Sequence, residues 1–133
     1  FPCGKHMDII AVNGEQLDIN IPINIKDRTW FNLSGMENFF KNLLKKRLYK
    51  VEDILFTLFY VISTFIYKII INSSKDYCID SILITGGVSS NSVIRNLLKD
   101  KLVIHGIKPY FPEERLCTDN GVGVAYLGKE GYR

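Results

Sequence analysis

Cysteine and histidine are both scarce in this sequence of 133 residues. The three cysteines, Cys3, Cys78 and Cys117, are an odd number at wide spacing, which is typical of reduced thiols rather than of a disulfide framework. Cys-x-x-Cys does not occur, so a structural zinc site is not expected. His-Glu-x-x-His is missing, and no nucleophile stands beside a base, so nothing supports a protease. We therefore expect a cytoplasmic protein with free thiols.

The sequence has no strong excess of positive or negative charge. The chain has 17 basic and 14 acidic side chains and a formal net charge of +3, and 47 % of its residues are hydrophobic. This balance is typical of a globular domain, and the weak positive charge permits contact with nucleic acid without arguing for it. The first residue is Phe1, and no basic and then apolar leader follows it. We interpret residues 1–133 as a single domain that is a fragment of a longer protein.

A long hydrophobic run of membrane length is also missing. The uncharged, mostly apolar run over residues 54–67 is 14 residues long, whereas a membrane helix needs about 20 predominantly apolar residues. We therefore predict no membrane span. A helix that is apolar nearly all round is typical of the buried centre of a domain, and we expect such a helix over residues 52–71, ended by the polar residues 72–76.

The first quarter of the chain has two clear patterns. Apolar residues between positions 7 and 11 indicate a short helix, and Asn13-Gly14 indicates that it ends in a left-handed cap. Apolar and polar residues then alternate from Leu17 to Ile25, which predicts a half-buried strand. Pro22 cannot donate to a neighbouring strand, so we expect either a strand at a sheet edge or a pair of short strands. His6 is interpreted as a polar surface residue rather than a ligand.

A second helix is predicted to begin at Ser34. Ser34 and Glu37 have the spacing of a capping box, and apolar residues follow at helical spacing up to Leu48. The opposite face of this helix is basic, and two interpretations of it remain open: a solvated surface, or a contact for tRNA. The residues of this face are Lys41, Lys45, Lys46 and Arg47.

The second half of the chain is organised around a pair of glycines. A short apolar strand over residues 81–85 leads into Gly86-Gly87, and the start of an amphipathic helix, with two serines, is predicted to follow the glycines directly. Paired glycines let a ligand approach the backbone closely, and the helix N-terminus that follows suits an anion such as phosphate. The same pattern is equally typical of an α/β turn that binds nothing. A further strand over residues 107–111 and a last helix from near Thr118 complete an α/β order of elements.

Two motifs together resemble one family. Gly86-Gly87-Val88-Ser89-Ser90-Asn91 is followed by Arg95 and Pro112, and then by Cys117-Thr118-Asp119-Asn120-Gly121. In this order and at this separation the motifs resemble the C-terminal signature of the TsaD-type tRNA threonylcarbamoyladenosine synthases, which older descriptions call glycoproteases or O-sialoglycoprotein endopeptidases. The resemblance implies that this chain is the second lobe of an actin-like ATPase fold, the fold of sugar kinases and Hsp70 chaperones. Two such lobes enclose a nucleotide cleft.

The resemblance also implies an activity. Enzymes of this family transfer a threonylcarbamoyl group from its adenylate to N6 of the adenosine beside the tRNA anticodon. The implied partners are tRNA, threonylcarbamoyl-adenylate and other subunits of a modification complex. By matching motif positions, Gly4, Gly86, Gly87 and Asn91 would contact the substrate or an adenylate or ATP-type nucleotide. Asp119 would bind one divalent metal, iron or zinc, together with two histidines that lie outside this chain.

Several residues depart from the family pattern. The family has Tyr-Pro-Gly-Gly-Pro where this chain has Phe1-Pro2-Cys3-Gly4-Lys5, so a side chain at Cys3 occupies a place where a ligand would approach. These departures favour an alternative, a non-catalytic paralogue or scaffold of the same fold. The glycine turn alone would also allow a nucleotide-dependent small-molecule kinase. No catalytic residue is assigned, and the fragment by itself is expected to be inactive and to self-associate.

Overall fold

The computed structural model describes residues 3–21, 25–27, 30–31, 33–117 and 121–131. The helices and strands in chain order are α1 (Cys3–Ala11), β1 (Ile25–Asp27), β2 (Trp30–Phe31), α2 (Met36–Lys46), α3 (Val51–Tyr77), β3 (Ser81–Leu83), α4 (Ser92–Ile104), β4 (Lys108–Tyr110), α5 (Glu114–Cys117) and α6 (Gly121–Gly131). A 3₁₀ turn, Gly87–Ser90, lies between β3 and α4. The described chain is thus a mostly helical α/β fold with one small parallel sheet.

Helix α3 is the centre of the fold, as predicted. One of its faces packs on α1 and α4, and the other packs on α2. The first core cluster consists of Ala11, Leu55, Phe59, Ile70, Val93, Ile94, Leu98, Leu102 and Ile107. The second consists of Met36, Phe40, Ile54, Val61 and Phe65. Because apolar layers cover both faces, the helix needs apolar residues nearly all round.

The end of α3 differs from the prediction. Residues 72–76 are polar but helical, and the helix continues to Tyr77. It ends at Cys78, which has the left-handed conformation (φ 52°) and donates its N–H to the Ser74 carbonyl. Residues 72–74 are half-buried and residues 75–76 are exposed, so polar residues at the partly solvated end of a helix are compatible with its continuation. At its full length, α3 is long and apolar enough to cross a bilayer by length and composition alone. That is weak evidence for a membrane span, since a packed core helix passes the same test.

Helix α1 is longer than predicted and ends differently. It begins at Cys3 rather than near Met7, so Gly4 is helical. Asn13 and Gly14 do not have positive φ angles, so the predicted left-handed cap was wrong. Gly14 is instead needed for close packing, because a Cβ atom there would lie 2.2 Å from the Glu52 carbonyl oxygen.

The predicted strand over Leu17–Ile25 was also wrong for its first half. Residues 14–21 have no regular secondary structure, whereas Ile25–Asp27 form the strand β1, which pairs antiparallel with β2. Pro22 lies outside the described residues. The alternation of apolar and polar residues still indicates which side chains are partly buried, because Leu17 and Ile21 pack on the second core cluster. The Leu17 N–H donates to the Thr57 hydroxyl at 2.9 Å rather than to a strand.

Helix α2 begins at Met36, with Gly35 as its N-cap and no side-chain cap hydrogen bond. The predicted capping box, with Ser34 as the cap residue, was therefore wrong. Glu37 pairs instead with Lys41 one turn later, at 2.5 Å. The hydrogen bond from Lys41, and then its charge, hold the pKa of Glu37 below its ordinary value.

Strands β3 and β4 form the parallel sheet, in which Ser81 pairs with Lys108 and Leu83 with Tyr110. Both strands are shorter than predicted, although the Ile84 N–H still donates to the Tyr110 carbonyl at 2.9 Å. Helix α4 packs on α3 and β4 and connects the two strands. This β-α-β unit presents the turn between β3 and α4 at the carboxyl end of β3, where ligands of open α/β sheets bind.

Candidate functional site

The candidate site is built on the turn between β3 and α4. Gly86 has φ 94° and ψ 168°, a conformation that only glycine adopts without strain. The 3₁₀ turn then begins at Gly87, so α4 does not follow the glycines directly as the sequence had indicated. The Ser89 and Ser90 hydroxyls donate to the Gly86 and Gly87 carbonyls, at 2.7 and 2.6 Å. The two serines therefore fix the shape of this turn.

Asn91 is the N-cap of α4. Its side-chain oxygen Oδ1 accepts a hydrogen bond from the Ile94 N–H at 2.8 Å, and the residue is buried. An asparagine cap of this kind satisfies one of the helix-end N–H groups that have no partner within the helix. Oδ1 therefore already accepts a hydrogen bond within the chain. The other polar group of the Asn91 side chain is the amide nitrogen, which is a hydrogen-bond donor.

The rest of the α4 N-terminus is occupied by Asp8 from α1. One Asp8 carboxylate oxygen accepts from the Ser92 N–H at 2.9 Å, and the other accepts from the Ser92 hydroxyl at 3.0 Å and from the Val93 N–H at 3.3 Å. A carboxylate at a helix N-terminus is favoured by the helix dipole. The anion-binding position that the sequence pattern had suggested for phosphate thus holds a carboxylate of the same chain.

Asp8 also brings α1 to the turn. Gly4 lies four residues before Asp8, so the two share one face of α1. A Cβ atom added at Gly4, Gly86 or Gly87 would meet no atom within 4 Å. The three glycine positions proposed for ligand contact therefore have open space over their backbones. The Asp8 contact ties the helix that carries Gly4 to Ser92 and Val93, directly after the cap residue Asn91.

Arg95 joins the two halves of the signature. Its guanidinium donates from Nη2 to the Pro112 carbonyl at 2.7 Å, and to the Cys117 sulfur at 3.2 Å. Its Nε donates to the Ser89 carbonyl in the 3₁₀ turn. The planar guanidinium presents several donors in a fixed arrangement, which suits a residue that links three backbone segments. The buried Cys117 thus ends α5 close to the glycine turn.

The predicted metal ligand lies just beyond this point. Asp119 is outside the described residues, although Cys117, two positions before it, is held by Arg95. In the part of the chain that is described, no three His, Cys, Asp or Glu side chains converge as a metal site would require. His105 contacts the Tyr67 hydroxyl through Nε2 at 2.6 Å, and His6 lies exposed on α1. The described residues alone therefore offer no ligand set for a metal.

Two contributions to this site were not predicted from the sequence. Asp8 lies 84 positions before Ser92, and no local pattern relates an acid in one helix to the end of another. Arg95 was recognised as part of the motif but without a role. The sequence does offer one signal for this role: Arg95 lies one turn after the helix cap, and Pro112 and Cys117 follow it in the motif.

The glycine turn after a parallel strand and the helix that follows define a protein of the α/β class, and comparison with known proteins identifies its family. Residues 1–126 match the family described as TsaD, tRNA N6-adenosine threonylcarbamoyltransferase. The chain belongs to this family.

The curated relatives are similar but longer. A tRNA N6-adenosine threonylcarbamoyltransferase of Persephonella marina is 32 % identical over 138 residues, with 100 % of this chain and 40 % of the relative covered. A protein described as a probable bifunctional tRNA threonylcarbamoyladenosine biosynthesis protein, from Methanobrevibacter smithii, is 31 % identical over 127 residues, with coverages of 96 % and 23 %. The chain therefore spans about 40 % or less of the length of these relatives.

A solved structure shares the fold. The crystal structure of HypF from T. kodakarensis superposes with a TM-score of 0.70 over 97 % of this chain and 17 % of that chain. Sequence identity is 17 %, so the likeness concerns the fold alone.

Proposed function

We propose that this chain is the second lobe of a longer, two-lobe protein with an actin-like ATPase fold. That protein would transfer a threonylcarbamoyl group from its adenylate to N6 of the adenosine next to the tRNA anticodon. The observation that carries the proposal is the family match over residues 1–126. The fold shared with HypF agrees with such a lobe.

The site geometry supports a role for the glycine turn in binding the adenylate or an ATP-type nucleotide. Gly4, Gly86 and Gly87 leave open space over the backbone, which a flat ligand would use for close approach. The Asn91 cap uses Oδ1, so its contact with the ligand would be a donation from the amide nitrogen. Because Asp8 already fills the α4 N-terminus, the phosphate of the ligand is not expected to bind there.

The metal in this proposal is one divalent ion, iron or zinc. Asp119 would supply a carboxylate, and two histidines outside this chain would complete the ligand set. Imidazole and carboxylate ligands together suit a transition-type metal. When bound, such an ion would polarise a carbonyl or phosphoryl oxygen. The other proposed partners are tRNA and further subunits of a modification complex. The proposed location is the cytoplasm, with no membrane contact.

The decisive experiment uses the longer protein. It is incubated with threonylcarbamoyl-adenylate and an unmodified tRNA, and the nucleosides are then analysed by mass spectrometry for N6-threonylcarbamoyladenosine. We expect the modified nucleoside from the longer protein and none from residues 1–133 alone, because the first lobe and the histidine ligands would be missing. Transfer by the 133-residue chain alone would contradict the two-lobe proposal.

A non-catalytic paralogue of the same fold is the second candidate. It is favoured by Cys3 and Lys5, which replace the family's glycine and proline beside Gly4. Cys3 is exposed on the first turn of α1. If the longer protein binds tRNA and the adenylate but produces no modified nucleoside, and Cys3→Gly with Lys5→Pro restores transfer, this candidate replaces the first.

A further inference from the structure

The densest positive charge of the chain lies where α2 ends and α3 begins. Residues 45–50, which we name the basic turn, contain Lys45, Lys46, Arg47 and Lys50 and no acid. The basic turn carries a formal charge of +4 against +3 for the whole chain, so the other 127 residues together carry −1. The positive charge of this protein is therefore concentrated at one place on its surface.

Two helix ends hold the basic turn in position. Helix α2 ends at Lys46, and Arg47 has a left-handed conformation (φ 53°) in which its N–H donates to the Leu44 carbonyl. Lys50 is the N-cap of α3. Only four residues connect the two helices, and every residue from 45 to 50 is exposed. The charged side chains therefore project into solvent from a backbone that is fixed on both sides.

Nothing in the described chain neutralises these charges. Lys41, on the basic face of α2, does have an acidic partner, because it forms an ion pair with Glu37. We therefore do not include Lys41 in the candidate surface. Among the described residues, no ion pair involves the basic turn. The nearby Asp53 carboxylate accepts from the Glu15 N–H at 2.9 Å and is half-buried.

The basic turn also exposes apolar and aromatic surface. Leu48 is 72 % exposed and Tyr49 is 40 % exposed, between the basic residues of the turn. Lysines and arginines contact phosphates, and aromatic side chains stack on unpaired bases, so the two together are typical of an RNA-binding surface.

We propose that the basic turn is a contact surface for tRNA, with its lysines and Arg47 on backbone phosphates and Tyr49 against an unpaired base. The identity of the RNA rests on the proposed function. An anionic membrane would attract the same charges, but the apolar helix that follows is already packed on both faces by the two core clusters. RNA is therefore the occupant that the surroundings of the basic turn favour.

The test measures binding of the 133-residue chain to an unmodified, fluorescently labelled tRNA transcript by anisotropy at several salt concentrations. The test variant is Lys45→Gln with Lys46→Gln. Loss of two phosphate contacts should lower the slope of log affinity against log salt by about 1.5. Tyr49→Ala should weaken binding severalfold with an unchanged slope, and Tyr49→Phe should restore it, because stacking needs the ring and not the hydroxyl.

The matched control is Lys75→Gln with Lys129→Gln, which removes the same charge at two exposed positions outside the basic turn. Thermal unfolding of each variant checks that the fold is retained. The proposal is overturned if the control weakens binding as much as the test variant, or if the wild-type chain binds no tRNA up to about 10⁻⁴ M. It is also overturned if the chain prefers vesicles of anionic lipid. Transfer by the longer protein remains a separate measurement, so failure of this contact would leave the proposed function standing.

Discussion

The Asp8 carboxylate of α1 accepts hydrogen bonds from the backbone of Ser92 and Val93 at the start of α4. Because these bonds involve a charged group, each is worth more than a bond between neutral groups. They join two elements that lie 84 positions apart, and they do so beside the candidate site.

Replacing Asp8 by alanine should therefore destabilise the fold. We expect Asp8→Ala to lower the free energy of unfolding by about 2 kcal/mol, the scale for hydrogen bonds to charged groups. Urea denaturation of the 133-residue chain measures this. Asp18→Ala is the control, since Asp18 is exposed in a segment without regular structure, and its effect should stay within about 0.5 kcal/mol. Equal effects of the two substitutions would show that the Asp8 contact contributes nothing.

Arg95 should be irreplaceable even by lysine. Its guanidinium reaches the Ser89 and Pro112 carbonyls together, which a single ammonium group does not reproduce. We expect Arg95→Lys to destabilise the chain by about 2 kcal/mol and to speed hydrogen exchange of the amides in residues 113–117. Arg115→Lys, at an exposed ion pair with Glu113, should change stability little. Unchanged exchange in the Arg95 variant would contradict its role as the link between the motifs.

Elements with local signals were predictable from the sequence. Helix α3, strand β3 and helix α4 were each predicted from the spacing of apolar residues, because the buried face of a helix or strand requires apolar residues at regular positions nearby in the sequence. What failed depends on distant partners. The strand predicted from Leu17 is instead an irregular segment, in which the Leu17 N–H donates to the hydroxyl of Thr57 in α3. The N-terminus of α4, where the pattern suggested phosphate, is occupied by the Asp8 carboxylate. Neither Thr57 nor Asp8 is close in sequence to the backbone group that it binds, so the local sequence pattern does not indicate either contact.

Gly14 illustrates the same limit and provides a sharp test. The sequence indicated a helix cap there, but the structure shows close packing against the Glu52 backbone. A Cβ atom at 2.2 Å from a carbonyl oxygen forces the backbones apart, so Gly14→Ala should cost about 2 kcal/mol. Gly128→Ala, in α6 with open space around it, should instead stabilise by about 0.5–1 kcal/mol. Thermal unfolding distinguishes the two, and a neutral Gly14→Ala would contradict the packing.

Self-association is expected from the outer face of the small sheet. Leu83 and Tyr110 pair across it and are 63 % and 48 % exposed, whereas parallel sheets are usually covered on both faces. Light scattering of the 133-residue chain should show oligomers that grow with concentration, and Leu83→Thr with Tyr110→Thr should reduce them. A wild-type chain that stays monomeric at high concentration would contradict this expectation.

Asp119 is best tested in the longer protein that we propose. Asparagine caps a helix as well as aspartate does, but it lacks the charge that a metal ligand supplies. If Asp119 binds the metal, Asp119→Asn should keep the free energy of unfolding within about 1 kcal/mol, while metal content and transfer to tRNA both fall sharply. If Asp119 is only a cap, all three quantities should stay close to the wild-type values. Metal analysis and melting temperature on the same two proteins separate these cases. Unchanged metal occupancy in the variant would remove Asp119 from the proposed site, and the functional proposal would then rest on Asn91 and the glycine turn.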